Sequence, residues 1–154
     1  MHTVLILDNI RSLYNVGSMF RTADGFGVQK MFLCGITGTP EQNGLKKVSL
    51  GAEHMVAWEH VRHTWRVVEK LQREGYDVVG LERANGATAI GKFRPSKKIA
   101  LVLGNEVRGL SPALRKRLDA TLEIPMVGKK ESFNVAVACG IALYALETIA
   151  QVKD

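Results

Sequence analysis

Short apolar runs alternate along this chain with stretches whose apolar residues recur at helical spacing. Thr3–Leu7 is a β-branched apolar run that reads as a buried strand. Asn15 is the expected N-cap of a helix reaching about Asp24, with Gly25 and Gly27 as stop signals. Lys30–Cys34 forms a second strand, and the Gly-, Pro- and Thr-containing stretch Gly35–Gly51, with its Asn43-Gly44 pair, reads as a long loop. After a short apolar piece at Met55–Trp58, Trp65, Val68 and Leu71 mark a helix over Thr64–Arg73. Tyr76–Leu81 is a strand, Arg83–Pro95 is irregular, and Ile99–Leu103 is the most strand-like run of all. Ser111-Pro112 opens a short helix as cap and N1 proline. Thr121–Ile124, stopped by Pro125, is the last strand, and a long helix fills Asn134 to about Gln151.

Strands alternating with helices predict an α/β domain whose mostly parallel sheet is covered by helices on both faces. Ligands of such sheets bind beyond the carboxyl ends of the strands. Here those ends run into Asp8-Asn9-Ile10-Arg11, Gly104-Asn105-Glu106 and Pro125-Met126-Val127-Gly128. The 154 residues are 46% hydrophobic and 23% charged, the balance of one ordinary folded domain. The first residues lack a basic leader, and Val135–Leu146, the longest uncharged apolar run, is too short to span a bilayer. Cys34 and Cys139 are isolated, which suits a reducing compartment. His60 and His63, at i, i+3, could share a face with His54 and Glu59 nearby in sequence, but there is no H-E-x-x-H and no cysteine partner, so surface histidines and no metal are expected. The near-continuous apolar surface of the last helix needs cover on every side. A homodimer interface, or deep burial within one chain, supplies it.

The net charge of +6 suits a phosphate-rich partner. Lys46-Lys47, Lys97-Lys98, Arg115-Lys116-Arg117 and Lys129-Lys130 are its short clusters, each of which is also ordinary solvated surface.

Three segments combine residues of chemical interest. In Asn15-Val16-Gly17-Ser18-Met19-Phe20-Arg21-Thr22-Ala23, Gly17 shares a helical face with Arg21 and leaves room for a ligand backbone beside the guanidinium. Asn15 and Ser18 add polar groups at a helix start, a natural phosphate site. A capped amphipathic helix with a tolerated glycine fits the same spacing, and more simply. Gly104-Asn105-Glu106-Val107-Arg108-Gly109-Leu110-Ser111 nearly spells a phosphate-binding loop, but Leu110 stands where its lysine is required. Glu106 there suits a cationic or hydroxyl-rich ligand instead. Ile124-Pro125-Met126-Val127-Gly128-Lys129-Lys130-Glu131-Ser132-Phe133-Asn134 leads into the last helix, with Ser132 or Asn134 as its cap.

Taken in order, these segments resemble the three signature motifs of the SpoU/TrmH family of RNA ribose 2′-O-methyltransferases, within the SPOUT superfamily. They match N-x-G-x-x-x-R-T-A, L-G-x-E-x-x-G-L and I-P-M-x-G-x-x-x-S-(L/F)-N-V-x-V-A. Each motif alone is weak, whereas the ordered trio is specific and covers essentially the whole chain.

The resemblance implies a single SPOUT domain over residues 1–154 without a separate RNA-binding extension, tied in a deep C-terminal trefoil knot. It implies S-adenosylmethionine as methyl donor, held by Leu103, Gly104, Ile124, Met126 and Phe133. Arg21 matches the family's catalytic arginine, and Asn15, Glu106, Ser132 and Asn134 match its other polar site residues. A guanidinium stays protonated at accessible pH, so positioning and charge stabilisation suit Arg21 better than general base catalysis. Arg11, Lys46, Lys47, Arg108, Lys129 and Lys130 are the residues expected to grip RNA phosphates, with tRNA favoured over rRNA. The enzyme would be a cytoplasmic homodimer packed through its last helix, with no membrane association and active sites composed from both subunits. Ala136 stands where the family often has serine. The alternative is a non-catalytic RNA-binding or assembly protein that retains the fold.

Overall fold

A computed structural model describes residues 1–152; Lys153 and Asp154, included in the single-domain expectation, lie outside the described residues. The strands are β1 (His2–Asp8), β2 (Lys30–Cys34), β3 (Ala57–Val61), β4 (Asp77–Leu81), β5 (Thr88–Ala89), β6 (Lys98–Leu103) and β7 (Ala120–Glu123). The helices are α1 (Leu13–Gly25), α2 (Asn43–Ser49), α3 (Thr64–Arg73), α4 (Pro112–Arg115) and α5 (Val135–Gln151). The strands form one sheet in the order β3-β2-β1-β6-β4-β7-β5, and every pairing between them is parallel.

Alternation along the central strands explains the layering, because successive side chains point to opposite faces. Leu5 and Leu7 of β1 pack with Val16, Met19 and Phe20 of α1, Leu45 of α2 and Cys139 and Leu143 of α5. Val4 and Ile6 face the other way, against Val67, Val68 and Leu71 of α3 and Leu114 of α4. Met19 and Phe20 are wholly buried, and each such side chain contributes about 1.5–3 kcal/mol by leaving water. The chain leaves β1 outward through β2 and β3, crosses to β4 on the other side and reaches edge strand β5. Strand β6 then inserts between β1 and β4, and β7 between β4 and β5, so the sheet changes winding direction between β1 and β6. Their register aligns Leu7 with Leu103, which delivers Asp8 and Gly104 to the same carboxyl edge.

Several local expectations change. The helix of the first segment opens at Leu13 with Ser12 as cap, its Oγ accepting the Asn15 N–H at 3.2 Å. Asn15, expected as the cap, therefore lies inside the first turn with its amide available to the site. The stretch expected as a long loop contains α2, whose fully buried Leu45 docks it on α1. Gly17 makes that docking possible: a Cβ there would lie 2.8 Å from the Leu45 carbonyl and 3.0 Å from Val48 Cβ. The room beside Arg21 expected for a ligand backbone is thus filled by the protein's own helix. The apolar piece at Met55–Trp58 leads into edge strand β3, which begins at Ala57, and the irregular stretch Arg83–Pro95 includes the two-residue β5.

Ser111 caps α4 with Pro112 at its first position, and Asn134 caps α5, accepting from Ala136 and Val137. Within this chain α5 is buried along one face, at Ala136, Cys139, Leu143 and Leu146, while Val137 and Tyr144 are exposed. Among the described residues, no helix is long and apolar enough to cross a membrane.

Candidate active site at the carboxyl edge of the sheet

Two cavities open at the carboxyl edge, on either side of the loop that follows β6. The first, of about 380 Å³, lies between the ends of β4, β6 and β7 and the segment entering α5. It gathers Leu103, Gly104, Ile124, Met126 and Phe133, all of the residues expected to hold the cofactor, together with Glu106, Ser132 and Asn134. Its size is in the range of small-molecule sites.

Gly104 is required by a close approach. A Cβ there would come within 2.5 Å of the Gly109 carbonyl carbon and 2.6 Å of the Leu110 nitrogen, so a side chain would prise the turn open. The turn closes on itself through Asn105 and Gly109, the Gly109 N–H donating to the Asn105 carbonyl at 2.9 Å. Gly109 adopts a φ of +63°, which glycine takes without penalty. Glu82, at the end of β4, fastens this turn by accepting from the Leu110 N–H at 2.8 Å.

Glu106 does not face outward as a free ligand carboxylate. It accepts from the Arg11 and Ser12 N–H groups at 3.1 and 2.9 Å and from the Asn15 amide at 3.2 Å. The carboxylate thus occupies the approach to α1 where a phosphate was expected. Partial burial works against its charge, but the Ser12 and Arg11 N–H groups and the Asn15 amide outweigh it and hold the carboxyl below its usual range. The Asn15 Oδ1 in turn accepts from the Asn134 amide at 3.1 Å. Asn15, Glu106 and Asn134, one from each motif segment, are therefore joined in a single hydrogen-bonded chain.

Arg21 is not brought to this cavity. It sits exposed on α1, lines neither cavity, and has no hydrogen-bond or ion-pair partner among the described residues. Lys46 and Lys47 are exposed on α2, and Lys129 and Lys130 are exposed on the segment between Met126 and Glu131. Arg11 and Arg108 border the second cavity.

Sequence reasoning missed Glu82, Arg83, Glu123 and Glu131 in the first cavity. The strand-end rule, applied to β4 as well as to β1, β6 and β7, would have found Glu82 and Arg83. Glu123 and Glu131 make no side-chain hydrogen bond among the described residues. With the apolar wall of Leu103, Ile124, Met126 and Phe133, they give a cavity suited to a flat apolar group joined to a cationic one. That donor set fits S-adenosylmethionine, which carries a purine, a sulfonium and an ammonium group.

The two cysteines are free and buried, and burial pushes both thiols up to about 12. Among the described residues, no group of three or more His, Cys, Asp or Glu could hold a metal ion.

A parallel sheet with cavities beyond its strand ends, on either side of the loop after β6 and next to the change of winding direction, defines an α/β domain of the open-sheet, edge-binding class. Residues 2–144 match the model of the SpoU rRNA methylase family, and the chain belongs to that family. It is 35% identical, over 94% of its length, to the 23S rRNA (guanosine-2'-O-)-methyltransferase RlmB of Coxiella burnetii, of which the match covers 57%. The chain thus spans little more than half the length of this curated relative. Its fold superposes with a TM-score of 0.87 on the SpoU methyltransferase AviRb of Streptomyces viridochromogenes in complex with the cofactor AdoMet, at 27% identity, covering 99% of this chain and 58% of that one. A structure described as giving insights into the 2-OH methylation of C/U34 on tRNA matches at 25% identity with a TM-score of 0.85, covering 98% of both chains.

Proposed function

We propose that this chain is an S-adenosylmethionine-dependent RNA ribose 2′-O-methyltransferase that acts on tRNA. The observation that carries this reading is the first cavity, which unites Leu103, Gly104, Ile124, Met126 and Phe133 with the Asn15–Glu106–Asn134 hydrogen-bonded chain. The cofactor named with AviRb and the guanosine-2′-O product named for the Coxiella relative support it. The tRNA preference draws on the relative that matches this chain almost end to end. An rRNA substrate is the second reading, favoured by the 35% identity to a 23S rRNA enzyme. In either case the protein works in the cytoplasm.

When bound, S-adenosylmethionine supplies a methyl group already activated by its sulfonium. Transfer to a ribose hydroxyl would form an O–CH₃ bond as the donor's C–S bond broke, with the hydroxyl proton passing to solvent or to a neighbouring substrate phosphate. The protein's main task is alignment, which is worth most when the reacting atoms are held close and in line. Gly104, Ile124, Met126 and Phe133 would seat the donor, and Ser132 and Asn134, which line the same cavity, would orient the ribose.

Arg21 stabilises the charge that develops on the attacking oxygen, and it is supplied by a second copy of the chain. Two observations support that arrangement: Arg21 reaches neither cavity of its own chain, and α1 and α5 expose Tyr14, Val137 and Tyr144. The same reading includes the C-terminal knot, built by the segments flanking β7 that line the cavity.

The test is transfer of labelled methyl from S-adenosylmethionine to total RNA, followed by mapping of ribose-methylated nucleotides. Incorporation at a ribose of tRNA is the expected result; a product methylated in rRNA selects the second reading. Failure to label any RNA, with no cofactor binding by calorimetry, returns the chain to the non-catalytic RNA-binding class.

A further inference from the structure

The second cavity is a cleft of about 1100 Å³ on the far side of the Asn105–Gly109 turn, reached from the ends of β1 and β3 and from α4. Arg11, Arg62, Arg108 and Arg117 border it, yet they come from four separate parts of the chain. Arg11, Arg62 and Arg108 have no ion-pair partner among the described residues. Arg117 pairs with Glu69 at 2.8 Å and lies over the Trp65 ring, 5.3 Å from its centroid. An indole face holds a guanidinium in place while leaving its N–H edge available to an anion.

Within this cationic rim sits one carboxylate. Asp8 is 8% exposed and borders the same cleft. Its Oδ1 accepts from the Thr64 hydroxyl and from the Asn9 amide, whereas Oδ2 accepts from no described residue. No arginine of the cleft lies within ion-pair distance of it. Burial raises the Asp8 carboxyl above its usual range, against the opposing Thr64 hydrogen bond. Oδ2 is open to the cleft rather than sealed in the core, so a ligand that brings an N–H group there exchanges water for a charge-assisted hydrogen bond. Guanidinium groups around a lone acceptor match the phosphates and the amino-bearing edge of a nucleotide.

We propose that this cleft seats a second nucleotide of the RNA substrate, apart from the one methylated, with its phosphates on Arg62, Arg108 and Arg117 and a base amino group donating to Asp8 Oδ2. The inference rests on the RNA reading above and adds a position at which the sequence of the RNA is read. Cytosine, whose exocyclic amine donates, fits this position; uracil presents a carbonyl oxygen there and meets a carboxylate with another acceptor.

The experiment measures binding of short, dye-labelled oligocytidylate and oligouridylate to the full chain by fluorescence anisotropy at one salt concentration. Wild type is expected to bind the cytidine oligomer about tenfold more tightly. Asp8→Asn should remove that preference, because an amide can serve either base. Arg62→Glu, an exposed change that leaves the core intact, should weaken both oligomers about tenfold, and Arg62→Ala should flatten the log–log salt slope by about 0.7. Cofactor affinity by calorimetry should be unchanged in the arginine variants, which separates the cleft from the cavity. Equal affinity of wild type for the two oligomers, or binding by Arg62→Glu within about twofold of wild type, overturns the proposal. Methyl transfer is scored separately. Labelled RNA with an indifferent Arg62→Glu sinks the cleft alone, whereas cleft-dependent binding without methyl transfer to any RNA sinks the activity alone.

Discussion

The two cavities share a wall yet differ in how the chain builds them. The first is assembled from two nearly continuous segments, Leu103–Gly109 and Ile124–Val135, with the β4 end as a third side. The arginine cleft is assembled from short runs near Asp8, Arg62–Trp65, Val107–Gly109 and Ser111–Leu114, which follow or precede different strands. A cavity made from contiguous loops carries its chemistry as a spacing that can be read along the chain. A cleft made from the ends of several strands exists only once the sheet order has brought those ends together.

Four substitutions break or sharpen this contrast. Arg21→Ala should have the largest effect, reducing methyl transfer about 100-fold or more, with cofactor binding by calorimetry preserved. A normal rate would remove Arg21 from the reaction. Gly104→Ala should abolish cofactor binding and lower stability by about 1–3 kcal/mol, because its Cβ has only backbone to displace. Urea denaturation and calorimetry check both parts, while oligomer binding at the cleft should decline less than cofactor binding.

Glu106→Gln should act on stability through pH. The folded carboxyl is held below its ordinary value, so the charged form stabilises the fold above the unfolded value, about pH 4.3. That contribution is lost as pH falls through the lowered folded value. Melting curves should therefore separate wild type from Glu106→Gln at neutral pH and converge in acid. A separation that persists in strong acid would mean the effect is not the carboxylate's charge. Ser12→Ala is expected to be the mildest, costing about 1 kcal/mol through loss of the α1 cap, and thermal unfolding reads it directly. An unchanged melting temperature would assign the cap elsewhere.

Much of the architecture was legible because buried parallel strands are written as continuous apolar runs. Ile99–Leu103 and Lys30–Cys34 were found almost to the residue. Helix α2 was missed because Asn43-Gly44 is turn-like and its docking depends on a notch, Gly17, about thirty positions away. The cap of α1 lies at Ser12 rather than Asn15 because both residues are good caps and the Asn15 side chain is instead engaged by Glu106 and Asn134, contacts not visible along the sequence. Leu103, Gly104, Ile124, Met126 and Phe133, which line the first cavity, stand at motif positions and so are legible as a group. The engagement of Glu106 by backbone N–H groups was not, since it spans 94 residues or more along the chain. Arg62 carries no signal beyond being polar near an element end, Trp65 reads only as a helix marker and Arg117 only as part of a short basic cluster, and they gain a shared meaning only beside Asp8.

Val107 stands at the crest of the turn between the two cavities, 91% exposed, and borders both. One thin partition cannot lean toward one chamber without receding from the other. Whatever occupies one side therefore works on the same mechanical element as whatever occupies the other. If donor fills the first cavity and polynucleotide the cleft, as proposed, thermodynamic linkage makes the factor by which each changes the other's affinity the same, a symmetry that titrations in both orders can verify.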